Sequence, residues 1–240
     1  MPKDIVIIHG WGSSIKSFGE FAKFLIDKGH QVHIFDLPGF GEAPAPENPW
    51  SVADYANFVL HFSQSQGLDN FYLFGHSFGG RIAIKFAALH QEKLAGLILC
   101  DSAGVTPRSG FKTGISFIIS QLGSAIFSLP LLRWLREPAR HMLYFVLRAG
   151  DYYHLETEAM RETFKKVINE DLTSYLSQIK APTLIVWGRK DKETPISDAH
   201  KIHEHISGSR LEILEGVGHS PHLETPERLG EIVDKFIRLK

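Results

Sequence analysis

Phe71-Tyr72-Leu73-Phe74-Gly75-His76-Ser77-Phe78-Gly79-Gly80 is the stretch that decides the fold. An apolar run of strand length leads into a serine that has glycine two residues before it and two residues after it. Arg81–His90 then continues with a helical pattern. A serine on so sharp a strand-to-helix turn has a strained backbone, and its neighbours crowd the turn. The residues at those two flanking positions must therefore be tiny, which Gly75 and Gly79 satisfy. The turn lifts the hydroxyl above the edge of a sheet. It also aims the Phe78 N–H at the same spot, with the partial positive charge of the helix start behind it. The motif predicts a nucleophilic serine.

Similar apolar runs recur on both sides of it. Ile5–Ile8, Val32–Phe35, Leu97–Cys100, Thr183–Trp187 and Leu211–Leu214 are short, rich in β-branched or aromatic residues, and mostly end at Gly or Asp. Near-continuous apolar runs are what strands covered on both faces require. Amphipathic stretches lie between them: Ser17–Lys28, Val52–Gln66, Phe78–His90 and Pro226–Leu239. The alternation predicts an α/β fold, a mostly parallel sheet of about six strands with helices on both faces. It breaks once. Residues 103–179 contain no strand-like run and read as several helices punctuated by Gly110, Gly123, Pro130, Pro138 and Gly150. A helical insertion there would sit near the strand C-termini, where ligands bind in open sheets. The expected organisation is a core domain of residues 1–102 and 180–240 carrying a helical lid at 103–179.

The bulk properties exclude several classes. The 240 residues suffice for one substantial domain, and 43% hydrophobic with 22% charged residues is ordinary for a soluble globular protein. A formal net charge of −1 gives no field that would gather nucleic acid or an anionic membrane. The single Cys100 can form no internal disulfide and reads as a small buried hydrophobe. Met1-Pro2-Lys3-Asp4 leads straight into Ile5–Ile8 without the features of a secretory signal, so a cytoplasmic location is expected. Thr113–Leu132 is free of charge but interrupted by Gly114, Gln121, Gly123 and Pro130, which argues against a membrane span.

A serine at its ordinary pKa needs a positioned base. Among thirteen histidines, His219 stands out in Glu215-Gly216-Val217-Gly218-His219-Ser220-Pro221, a glycine-rich loop just after the last strand. His222 is its rival. His76, beside the serine, should point away from the hydroxyl, and His9 should bond loop backbone. His200, His203 and His205 lie on a polar segment without a metal-ligand pattern, so no metal is expected. The base needs a carboxylate to fix its tautomer. Asp191 ends Trp187-Gly188-Arg189-Lys190-Asp191 after the fifth strand, and Asp101 after the fourth is the alternative acid. The loop His9-Gly10-Trp11-Gly12 after the first strand would bring the Trp11 N–H over the nucleophile as the second donor to a developing oxyanion.

HGWG at 9–12, DLPGFG at 36–41, GHSFGG at 75–80, WGRKD at 187–191 and GHSPHLETPERL from Gly218 onward resemble the α/β-hydrolase superfamily over nearly the whole chain outside the lid. The resemblance implies Ser77 as nucleophile, Asp191 as acid, His219 as base, oxyanion amides from Trp11 and Phe78, and no cofactor. HGWG with a small helical lid is similar to the pimeloyl-carrier-protein methyl ester esterase group and related carboxylesterases. Two departures stand out: the usual strand hairpin before the HG loop is missing, and Glu42-Ala43-Pro44 replaces the serine that commonly follows the DLPGxG motif. The expected substrate is a small-molecule carboxylic ester or thioester, with Trp11, Phe78, Ile118 and Leu122 as binding residues. The lid segment is also basic, with Arg108, Lys112, Arg133, Arg136, Arg140 and Arg148 against the lone Glu137, which fits an acidic acyl carrier protein as partner. Hydrolysis of a C–C bond in a vinylogous diketone by the same residues is one alternative. A ligand receptor with a slow triad is another.

Overall fold

The structure, a computed structural model, describes residues 2–105 and 157–239. Strands β1 (Asp4–Ile8), β2 (Gln31–Ile34), β3 (Phe71–His76), β4 (Leu94–Cys100), β5 (Thr183–Gly188) and β6 (Arg210–Leu214) form one sheet in the order β2-β1-β3-β4-β5-β6. Every pairing is parallel. The apolar runs are explained by burial on both faces. Ile5, Ile7, Tyr72, Phe74, Ile98 and Cys100 point to one side of the sheet, against α1 (Gly19–Asp27) and the C-terminal helix α8 (Pro226–Arg238). Val6, Ile8, Leu73, Leu97, Leu99 and Ile185 point to the other, against α2 (Val52–Ser65) and α3 (Phe78–Leu89). Each such Ile or Leu contributes about 1.5–3 kcal/mol through removal from water. The edge strands β2 and β6 are only partly covered, and their sequences alternate accordingly.

Strand and helix limits lie close to those read from the sequence. The largest difference is at β4, which begins at Leu94 rather than Leu97. Gly96 interrupts the apolar run there, yet a side chain at 96 would press into the Tyr72 ring, 2.8 Å away, so glycine is a packing requirement and not a strand break. Residues 157–179 carry α4 (Glu158–Asn169), capped by the Thr157 hydroxyl on the Met160 N–H, and α5 (Thr173–Leu176). Met160, Phe164, Leu172 and Leu176 join the core cluster on the α3 side of the sheet. Arg81 and Lys85 of α3 tie this segment down. Arg81 donates to the Glu170 carbonyl at 2.7 Å, and Lys85 pairs with the Glu170 carboxylate at 2.7 Å above the Tyr175 ring. Ile118, Leu122, the basic residues from Arg108 to Arg148 and Thr113–Leu132 lie outside the described residues. Among the described residues, no helix is long and apolar enough to cross a membrane.

The strand order places the site. The chain leaves β1 towards β2 and returns to β3 on the other side of β1. The C-terminal ends of β1 and β3 therefore flank the topological switch point, where open parallel sheets form their ligand crevice. The close approach of the two loops rests on glycine. A Cβ on Gly79 would run into the Ile8 carbonyl, and one on Gly75 would meet the Gly79 carbonyl and lie 2.8 Å from Ala83 Cβ.

Gly79→Ala is therefore expected to destabilise the protein by about 2 kcal/mol or more, in the upper range for overpacking. Gly19→Ala is the control: it lies at helical φ −53° with open space around it. It should be neutral or stabilising by up to about 1 kcal/mol. Urea midpoints of the two variants against wild type decide the point; equal midpoints would contradict the packing account.

Candidate active site

Ser77 adopts φ 53°, ψ −113° between β3 and α3. Positive φ is unfavourable for a residue with a Cβ, so the surroundings must hold it there. The Ser77 N–H donates to the Cys100 carbonyl at 3.2 Å, and its own carbonyl accepts from Gly80 and Ala103, each at 3.0 Å. Gly10 covers it from the β1 side, where a Cβ would lie 3.3 Å from that of Ser77.

His219 reaches the serine from the loop after β6. Its Nε2 lies 3.0 Å from Ser77 Oγ, and its Nδ1 lies 2.7 Å from Asp191 Oδ2. An ionised carboxylate only accepts, so Nδ1 carries the proton and the Nε2 lone pair faces the hydroxyl. The Asp191 side chain is fully buried, whereas His219 is partly open to solvent. Burial alone would push the Asp191 carboxyl up; hydrogen bonds from His219 and Thr194 outweigh it and hold the group below the usual carboxylate range. Asp191 Oδ1 accepts the N–H groups of Glu193 at 2.7 Å and Thr194 at 3.0 Å, while the Thr194 hydroxyl donates to Oδ2 at 2.6 Å.

Glycine again lets the loops carrying Asp191 and His219 meet, since a side chain on Gly188 would strike the Gly218 carbonyl. The Lys190 N–H donates to the Val217 carbonyl at 2.8 Å, joining the two loops directly. Residue 219 is held from three sides. Glu224 accepts the N–H groups of Gly218 at 2.8 Å and Ser220 at 3.1 Å, and His76 Nε2 donates to the His219 carbonyl at 2.7 Å. His76 thus points away from the serine hydroxyl and supports the loop that carries His219. Burial, followed by the charges His222 and His219 would carry, keeps its pKa well below that of free histidine.

The other histidines have different surroundings. His222 stacks on Phe18 with ring centroids 4.1 Å apart, and burial lowers its pKa to about 4. His9 donates from Nδ1 to the Gly10 carbonyl at 2.8 Å and accepts the Leu37 N–H at 2.9 Å. His203 pairs with Ser209 and His205 with the Lys201 carbonyl, each at 2.8 Å. Asp101, the alternative acid, accepts the Gly188 N–H at 2.8 Å.

Among the described residues, the N–H groups of Trp11 and Phe78 donate to no protein acceptor. Their rings meet edge-on at 5.1 Å, and Trp11 also touches Phe40 at 4.8 Å and Phe164 of α4 at 5.0 Å. An aromatic wall therefore stands beside the serine. The sequence pointed to Ser77, His219, Asp191, Trp11 and Phe78, but the parts played by Thr194 and Glu224 were missed. For Thr194 a signal existed: Asp-x-x-Thr is the spacing at which an Asp side chain caps a following turn. Glu224 lay within the GHSPHLETPERL motif without an assigned contact.

The chain resembles several hydrolases. It is 28% identical to Lipase 1 of Psychrobacter immobilis, over 97% of this chain and 74% of that protein. It is 27% identical to the 2-hydroxy-6-oxononadienedioate/2-hydroxy-6-oxononatrienedioate hydrolase of Klebsiella pneumoniae, over 97% of this chain and 86% of that protein. The esterase EaEST from Exiguobacterium antarcticum superposes with a TM-score of 0.77 at 25% identity, over 98% of this chain and 92% of that one. The model of the alpha/beta hydrolase family matches residues 5–232. With that match on a six-stranded parallel sheet of this order, the chain belongs to the alpha/beta hydrolase family and has its fold.

Proposed function

We propose that this hydrolase cleaves carboxylic ester or thioester bonds through an acyl-enzyme on Ser77. The observation that carries the reading is the continuous relay from Ser77 Oγ through His219 to Asp191, at 3.0 Å and 2.7 Å. Ser77 Oγ attacks the carbonyl carbon while His219 Nε2 takes its proton. The imidazolium so formed is stabilised by the buried Asp191 carboxylate, which already holds the ring in the required tautomer. The negative charge on the former carbonyl oxygen falls to the Trp11 and Phe78 N–H groups, each such donor being worth roughly 3 kcal/mol in a transition state. When the tetrahedral species collapses, His219 returns its proton to the departing alcohol or thiol. Water, deprotonated by the same ring, then releases the acid and regenerates the serine.

The aromatic wall of Trp11, Phe40, Phe78 and Phe164 supports a substrate with an apolar portion. Residues 103–179 serve as the lid, with Ile118 and Leu122 completing the acyl pocket. Similarity to the pimeloyl-carrier-protein methyl ester esterases, with the basic lid segment, favours a medium acyl chain delivered by an acidic carrier protein. The second reading is C–C bond hydrolysis, favoured by the likeness to the Klebsiella pneumoniae enzyme.

Ser77→Ala should lower kcat for ester hydrolysis by several orders of magnitude with the fold intact, and Asp191→Asn by about 10⁴ through loss of the tautomer. Steady-state kinetics with a chromogenic ester, alongside circular dichroism, measures both. An active Ser77→Ala enzyme would refute the mechanism. A series of esters of rising acyl length should show kcat/KM increasing beyond acetate. A preference for acetate would remove the apolar acyl pocket, and turnover of a 2-hydroxy-6-oxo-dienoate without ester turnover would favour the second reading.

A further inference from the structure

We propose that Asp101 is a positioning residue for this site, one that secures both ends of the Asp191 loop through its carboxyl at Gly188 and its backbone at Val186 and Thr194. The inference rests on the reading of Asp191 as the acid that orients His219. Asp101 follows β4 at φ 43° and has no exposed surface. Its Oδ1 accepts the Gly188 N–H at 2.8 Å, at the point where β5 gives way to the loop carrying Asp191. Its backbone N–H donates to the Val186 carbonyl at 3.0 Å, and its carbonyl oxygen lies 3.1 Å from Thr194 Oγ1. The same hydroxyl reaches Asp191 Oδ2 at 2.6 Å. One residue thus touches both ends of the loop 188–194.

The titratable groups that face Asp101 are the Asp191 carboxylate from the loop after β5 and the Cys100 thiol of its own strand. Cys100 Sγ lies 3.7 Å from Asp101 Oδ2. Among the described residues, no lysine or arginine pairs with it. Two neighbouring carboxylates shielded from water disfavour each other's ionisation. The donors around Asp191 settle which one keeps its charge: His219, Thr194 and Glu193 all donate to it. Burial first, then the Asp191 charge, pushes the Asp101 carboxyl up to about 9, against the favourable Gly188 N–H. Oδ1 accepts from Gly188, and Oδ2 faces the Cys100 thiol.

Asparagine keeps an oxygen for the Gly188 N–H and cannot ionise, whereas alanine offers no acceptor. The test is the pH dependence of kcat and KM for ester hydrolysis in wild type, Asp101→Ala, Asp101→Asn and Asp191→Asn. Asp101→Ala should lower kcat roughly 10- to 100-fold with little change in KM, the usual effect of a misplaced reacting group. Asp101→Asn should recover most of that loss. Wild-type kcat should fall as pH rises past about 9, where a second charge forms beside Asp191, and the asparagine enzyme should lack that decline. Stability gives an independent reading. Folded wild type keeps a proton that the unfolded chain has released, so its stability falls as pH rises from the ordinary aspartate range to about 9. Asp101→Asn lacks this loss, so its advantage in Tm should widen over that window. An asparagine variant that fails to fold, is as impaired as alanine, or keeps the alkaline decline would overturn the inference. If Asp191→Asn stays active, the reading of the acid fails and this inference with it. If Asp191→Asn is inactive and Asp101→Ala is not, only the role of Asp101 falls.

Discussion

Ser77 is held at φ 53°, ψ −113°, and the site is built around the need to keep it there. A non-glycine residue in such a conformation costs on the order of 1–3 kcal/mol and persists only where its surroundings over-determine it. Those surroundings are two glycines that let β1, β3 and α3 approach within backbone contact, and hydrogen bonds that fix both polar groups of the Ser77 backbone. The sheet supplies the rigidity. Strands β1 and β3 are buried along nearly their whole length, so the turn between β3 and α3 has little freedom to relax. The same kink frees the Phe78 N–H at the start of α3 and brings the Gly10–Trp11 loop against the serine.

The second half of the site obeys a different constraint, the cost of a charge held away from water. A carboxylate as buried as Asp191 must be matched by donors, and each donor fixes geometry as it lowers that cost. The Glu193 and Thr194 N–H groups shape the turn, the Thr194 hydroxyl fills one oxygen, and His219 completes the set. The imidazole is thereby oriented by the requirement that keeps Asp191 charged. Glu224 and His76 perform the same service for the backbone around residue 219, at the outer and inner sides of its loop.

How much of this the sequence revealed follows from the range of each interaction. Strands covered on both faces leave unbroken apolar runs, so the central strands were legible, whereas β6, read as a similar run at Leu211–Leu214, is an edge strand with alternating burial. Ser77 was legible because its strain imposes glycine at fixed offsets along the same few residues. His219 and Asp191 were legible as polar residues on loops after strands, although Asp101 satisfied the same description. The structure separates the two acids by what they touch: Asp191 meets the His219 ring at 2.7 Å, and Asp101 meets the Gly188 N–H at 2.8 Å. The contact between His76 and the His219 carbonyl joins the end of β3 to a loop 143 residues away and leaves no periodic or spacing signal in either.

The central claim is that Ser77 is the residue the relay activates. Incubation with an alkyl phosphonate ester, followed by peptide mass mapping, tests it most directly, because phosphonylation requires an activated nucleophile and leaves a permanent mark. The account predicts a single adduct on Ser77 that forms in wild type and is largely lost in His219→Ala. An adduct on another residue, or labelling of Ser77 at an unchanged rate without the imidazole, would contradict it.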